Sequence, residues 1–142
     1  LAKALQGFVP IIYSATTWES LAMVWKINLN ENAKIPSFWN SFPELNHNEM
    51  VGYTSSSPNF KTVILKDPDD DPRINKRINV FENIFREKLK IETIQMPSGS
   101  PLYKMIHTLL VGLWTSYYLA LLNNIDPAPV AVVEDFKKKL MT

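Results

Sequence analysis

Residues 28–52 carry Glu31, Glu44, Glu49 and His47 together with six asparagines, interleaved with Phe38, Trp39 and Phe42. Surface loops rarely hold so many aromatics, and cores rarely hold so many amides and acids. A mixed apolar and polar lining is what a small-molecule pocket needs. The chemistry open to these residues is acid/base catalysis without a metal. A carboxylate on a helix end, walled by apolar groups, has its pKa raised toward the working pH and can act as a base. Histidine moves protons on and off sugar-type oxygens near neutrality, and lysine can steady or protonate an oxygen or hold an anion. Glu31, His47 and one lysine of the Lys137-Lys138-Lys139 run supply the three roles. The bland reading stands beside this one: Glu31 in contacts with Lys34, and His47 bonded to a loop carbonyl. Residue types alone leave the two readings even.

Other chemistries find less support. Four glycines, with no P-loop, GxGxxG or GxSxG pattern, leave no glycine-rich phosphate cradle. Thr54-Ser55-Ser56-Ser57 could hold a phosphate through hydroxyls, but before Pro58 a solvated loop is the simpler reading. A lone His47 among carboxylates has no zinc spacing. Zero cysteines remove disulfides, thiolate metal sites and a cysteine nucleophile, and fit a reducing cytoplasm. No metal or cofactor is expected. A net charge of +1 gives no electrostatic case for nucleic acid or an anionic membrane.

The 142 residues suit a single domain, 1–142, and the periodicities give its elements. Strands are expected around residues 8–13, 61–66 and 91–96, the last nearer an edge. Pro10 must lie near the start of its strand or on an edge. Thr16 and Glu19 form a capping-box pattern opening a helix whose face is Trp18, Leu21, Ala22, Trp25 and Leu29, with Glu31 at or just past its last turn, on an exposed end. Asp71 and Pro72 read as N-cap and first residue of a second helix, striped by Ile74, Ile78, Phe81, Phe85 and Leu89. A third helix runs from Ser100-Pro101 to Asn123-Asn124. Its Leu102–Leu122 stretch is long enough to span a membrane, but Lys104, His107, Thr108, Thr115 and Ser116 favour a helix buried in a soluble core. His107 is then a core histidine, and Trp25, Trp39, Trp114, Tyr117 and Tyr118 are packing residues. A last helix turns Val130, Val133, Phe136 and Leu140 inward. Alternating strands and helices imply a three-layer α/β/α domain with a parallel sheet, whose sites lie beyond the carboxyl ends of the strands.

Trp25-Lys26-Ile27-Asn28-Leu29-Asn30-Glu31-Asn32-Ala33-Lys34, Pro36 and Phe42-Pro43-Glu44-Leu45-Asn46-His47-Asn48-Glu49 together resemble the bifunctional phosphoglucose/phosphomannose isomerases. Val9-Pro10-Ile11-Ile12-Tyr13, Gly112 with Trp114, Ser116-Tyr117-Tyr118-Leu119-Ala120 and Asp126-Pro127 with Pro129-Val130 extend the similarity over nearly all the chain. Members of that family are about twice as long and have two sugar-isomerase (SIS) subdomains, and this chain resembles the C-terminal one. The resemblance implies a flavodoxin-like SIS fold, a missing N-terminal SIS half that holds most of the phosphate contacts, and a homodimer. It implies Glu31 as the base moving a proton between C1 and C2 of a hexose 6-phosphate through a cis-enediol. His47 would assist ring opening from a neighbouring subunit, and Lys137, or Lys138 one residue on, would complete the set. Asn32, Asn46 and Asn48 flank these groups and are the candidate substrate contacts. Two positions depart from the family pattern: Leu113, where an acidic residue is expected, and Ala128, where a threonine is. The second bears on handling of the C2 hydroxyl, and so on the mannose side of the activity.

Two other functions compete. A non-catalytic sugar-phosphate sensor of the same fold would not need a base, and the presence of Glu31, His47 and the lysines argues against it. A receiver-type domain would place the acidic run 67–71 in a site, which the helix cap explains better.

Overall fold

The structure is a computed structural model that describes residues 1–55 and 59–141. Ser56, Ser57 and Pro58, part of the hydroxyl run considered above, lie outside the described residues. In chain order the elements are α1 (Ala2–Leu5), β1 (Val9–Ala15), α2 (Glu19–Glu31), β2 (Phe38–Phe42), α3 (Glu49–Gly52), β3 (Phe60–Lys66), α4 (Pro72–Phe85), β4 (Lys90–Gln95), α5 (Pro101–Leu122) and α6 (Ala131–Leu140). The strands form a parallel sheet in the order β2-β1-β3-β4. Pro10 sits second in β1, one position before pairing with β2 begins at Ile11, so its missing N–H costs no ladder bond on that side.

Side chains alternate across a strand, and the sheet sorts them into two cores. Ile12, Val63 and Leu65 face Leu21, Ala22, Trp25 and Leu29 of α2, with Leu5 and Leu119 joining them. Ile11, Tyr13 and Ile64 face Ile78, Phe81 and Phe85 of α4, together with Phe42, Leu45 and Tyr53. The three-layer α/β/α reading therefore holds. Asp71 caps α4 by accepting the Arg73 N–H at 2.8 Å, and Ser100 caps α5 by accepting from Tyr103 N–H at 3.3 Å. The expected capping box at Thr16 does not form. Residues 16–18 make a 3-10 turn and α2 starts at Glu19, while the Thr16 hydroxyl donates to the Phe42 carbonyl at the end of β2.

The long helix α5 departs from expectation in a way that matters for function. Its inward face is made of Lys104, Thr108, Gly112, Thr115, Ser116, Leu119 and Ala120. Gly112 lies against the Trp25 indole so closely that an added Cβ would sit 2.6 Å from it, and Trp25 Nε1 donates to the Thr108 carbonyl at 2.9 Å. The apolar side chains point outward instead: Leu102, Met105, Ile106, Leu110, Trp114, Tyr117, Tyr118 and Leu121 are exposed. The buried-helix expectation is thus corrected, because α2 already covers this sheet face and α5 packs on it through a narrow, mostly small or polar face that also buries Leu119. His107 is exposed beside Tyr103, not a core histidine. Trp39, Trp114, Tyr117 and Tyr118 are likewise exposed rather than packed into the core, while Trp25 is buried.

Candidate functional site

α2 leaves the carboxyl end of β1 and runs back along the sheet, so Glu31 lies at the amino end of the strands. The turn that follows is held by side chains. Asn30 Nδ2 donates to the Ile35 carbonyl at 2.7 Å, and Lys34, in a left-handed conformation, donates from Nζ to the Glu31 carbonyl and to the Pro127 carbonyl. Lys34 thus contacts the Glu31 backbone and leaves the carboxylate exposed. Asn30, Glu31 and Lys34 form one wall of an open cleft of about 570 Å³, whose other wall is the 125–133 segment leading into α6. Asn32 turns away from this cleft and donates to Ser116 Oγ at 2.9 Å. Ala128, at the family's threonine position, donates its N–H to Asp126 Oδ1 at 2.9 Å.

His47 lies beyond the carboxyl end of β2, on the turn closing residues 44–46. Its backbone N–H bonds the Glu44 carbonyl and its side chain is exposed. Asn48 Nδ2 donates to Glu44 Oε1 at 3.1 Å, and Asn46 Nδ2 lies 3.1 Å from Met50 Sδ. Leu45 is fully buried before His47. After it, Glu49 Oε1 accepts from Tyr13 Oη at 2.5 Å, and Oε2 accepts from Asn40 Nδ2 at 2.5 Å. The Tyr53 hydroxyl bonds that of Tyr13 and stands 3.3 Å from the same carboxylate. Burial first, then the neighbouring phenol and carboxylate, pushes Tyr13 far above the usual tyrosine range. Burial likewise raises Tyr53, so both phenols stay protonated.

Glu31 and His47 therefore occupy opposite ends of the sheet. With a strand rise of roughly 3.3 Å per residue along β1, the two ends are about 20 Å apart. One copy of the chain does not bring its own Glu31 and His47 together.

Lys137 and Lys138 lie on α6, where no residue is buried. Lys137 Nζ pairs with Glu134 Oε1 at 2.9 Å. Among the described residues no ion pair or hydrogen bond joins the Glu31 carboxylate to either lysine. Val130, Val133, Phe136 and Leu140, expected to point inward, are exposed. Both sheet faces are already covered by other helices, and among the described residues none of α6 is buried.

A buried charge cluster at the carboxyl end escaped the sequence reading. Lys104 Nζ, on α5, lies 2.6 Å from Asp67 Oδ1 with both side chains only 5% exposed, and 2.6 Å from Asp69 Oδ2. Trp18 Nε1 donates to Asp67 Oδ2 at 3.1 Å. Hydrogen bonds to Asp67 and then Asp69 raise the Lys104 pKa. Burial, then the Asp67 charge, raises Asp70 to about 6. Among the described residues no group of three or more histidine or acidic side chains is arranged to hold a metal ion.

Residues 1–140 match the family model described as the bacterial phospho-glucose isomerase C-terminal SIS domain. The bifunctional phosphoglucose/phosphomannose isomerase of Caldicellulosiruptor bescii is 35% identical over 147 residues, covering 99% of this chain and 43% of the relative. That of Thermoplasma acidophilum is 33% identical over 132 residues, covering 93% and 42%. The chain thus spans less than half the length of these relatives. A glucose-6-phosphate isomerase like protein from Thermus thermophilus shares the fold with a TM-score of 0.76 at 21% identity, over 96% of this chain and 45% of that one. Tagatose-6-phosphate ketose/aldose isomerase from Escherichia coli aligns with a TM-score of 0.67 at 10% identity, over 89% and 40%. With the match running from the first residue through α6, the chain belongs to the C-terminal SIS domain family of bacterial phospho-glucose isomerases.

Proposed function

We propose that this chain is the C-terminal half of an aldose–ketose isomerase that interconverts glucose 6-phosphate or mannose 6-phosphate with fructose 6-phosphate in the cytoplasm. Glu31 is the base. It takes the C2 proton of the open-chain aldose while O1 gains a proton, giving a cis-enediol. Returning a proton to C1 as O2 loses its own yields the ketose. His47 of a neighbouring subunit moves the proton between the ring oxygen and O1 on ring opening, and Lys137, with Lys138 the alternative, steadies the charge on the enediol oxygens. Asn46 and Asn48 accompany His47 as substrate contacts; Asn32, bonded to Ser116, shapes the Glu31 turn. No metal takes part in these steps.

The observation that carries this reading is the division of labour between the two sheet ends. An exposed carboxylate in an open cleft lies at one end, and an exposed histidine on a braced loop lies at the other. Each copy offers two half-sites, which suits a dimer in which one copy's His47 meets the other's Glu31. The outward apolar faces of α5 and α6 fit burial against protein, since contiguous apolar surface of this kind marks an interface. The N-terminal SIS half that the relatives' length implies and a second copy are the occupants proposed, rather than lipid.

The test is solvent tritium exchange into fructose 6-phosphate by the full-length enzyme. Glu31→Gln is expected to bind substrate and to lose exchange on the order of 10²–10⁴-fold, whereas Glu44→Gln, an exposed carboxylate near His47, exchanges normally. Near wild-type exchange by Glu31→Gln would remove Glu31 as the base.

A further inference from the structure

The Glu49 carboxylate has no part in the proton transfers above, yet it is tied more tightly than any other carboxylate near His47. It lies on α3, a helix of four residues, too short to hold its own conformation. The placement of residues 43–52 therefore depends on side-chain anchors. Leu45 and Tyr53 supply two by burial in the core against α4. Glu49 supplies the third. Its two oxygens meet the Tyr13 hydroxyl of β1 and the Asn40 amide of β2, with the Tyr53 hydroxyl beside them.

Each of these partners can donate, and an ionised carboxylate only accepts. A carboxylate at the margin of an apolar layer is costly unless donors converge on it. Here they come from two neighbouring strands of the sheet, so the anchor fixes direction as well as depth. His47 lies two residues before Glu49 and two after Leu45, at the exposed crest between the anchors.

We propose that Glu49 is a positioning residue for His47: its carboxylate, bound by Tyr13 and Asn40, locks the 43–52 loop to β1 and β2 so that the imidazole is presented in one orientation to the site of a neighbouring subunit. This rests on the role given to His47 above. In Glu49→Gln the negative charge is lost, so the charge-assisted bonds from Tyr13 and Asn40 weaken and the loop is held less firmly while Leu45 and Tyr53 stay buried. A misplacement of about 1 Å at a reacting group costs up to about 100-fold in rate.

The test is a double-mutant cycle in the full-length enzyme, with kcat and KM measured on fructose 6-phosphate for wild type, Glu49→Gln, His47→Ala and the pair. Glu49→Gln is expected to lower kcat about 10- to 100-fold with KM little changed, and to have no further effect once His47 is alanine. An equal loss in both backgrounds, or no loss in either, overturns the proposal. Full activity in His47→Ala would instead overturn the role of His47, and the proposal with it. If Glu49→Gln fails to fold, as judged by circular dichroism, Asn40→Ala replaces it in the same cycle, since it removes the Oε2 donor from a half-exposed position on edge strand β2.

Discussion

The two ends of the sheet are built on opposite principles. At the carboxyl end, side chains from distant parts of the chain lock together: Lys104 with Asp67 and Trp18, and Glu49 with Tyr13, Tyr53 and Asn40. At the amino end, Glu31 stands in an open cleft whose far wall leads into an uncovered helix. Lys34, which braces the turn beside Glu31, reaches backbone carbonyls. The carboxyl end is braced within one copy and leaves His47 exposed. The amino end presents an open cleft, which in the proposed dimer a partner would close. The shared active site proposed above would need this asymmetry, because the group offered to a neighbour must be rigid before it meets the cleft.

The comparison is sharpened first by removing one cation from each end. Lys104→Ala leaves Asp67 buried without its countercharge, and this loss is expected to be the largest in stability of any change proposed here. Lys34→Gln, at an exposed position, should shift stability by no more than about 0.5 kcal/mol. Urea unfolding of both variants checks this, and equal midpoints would show that the ends do not differ in the way described.

Gly112→Ala probes the layer that joins the two ends. The new methyl meets the Trp25 indole at 2.6 Å, and overpacking of this kind costs about 1–3 kcal/mol, offset in part by the gain of up to about 1 kcal/mol in helix propensity. A thermal melt should show a net loss. A gain in Tm would mean that α2 and α5 separate without cost.

The smallest effect is one of pH. Asp70 is raised to about 6 from its ordinary 3.8 by burial and by the Asp67 charge. A raised carboxylate favours the fold while protonated, so its contribution is complete below about pH 4 and is lost as pH rises through 6. Asp70→Asn should therefore raise Tm slightly at pH 7 and leave it unchanged at pH 4. A gain of equal size at both values would exclude titration as the cause.

Much of this architecture is legible in the residues. Strands β1, β3 and β4, the caps at Asp71 and Ser100, the stripe of α4 and the placing of Glu31 on the last turn of α2 all follow from periodicity and cap chemistry. β2 does not. Phe38-Trp39-Asn40-Ser41-Phe42 is an edge strand with Phe38 and Trp39 exposed, and its mixed composition reads as pocket lining. Without β2 the chain passing from Glu31 to His47 looks like one loop, and their separation along the sheet is invisible. The outward apolar face of α5 is equally hidden, because hydropathy says how apolar a helix is and not which side another helix has taken. The Glu49 anchor joins residues 36 and 40 positions apart in the chain, beyond the reach of any local pattern.

The central claim is that Glu31 and His47 of different subunits make one site. It is tested by mixing two impaired full-length variants, Glu31→Gln and His47→Ala, under conditions where subunits exchange. In a two-fold dimer, a hybrid holds one site with both groups intact and one with neither. Equal mixing with random exchange should then restore about a quarter of wild-type isomerase activity. If the mixture stays at the mean activity of its two components while exchange of subunits is demonstrated, Glu31 and His47 do not act across the interface.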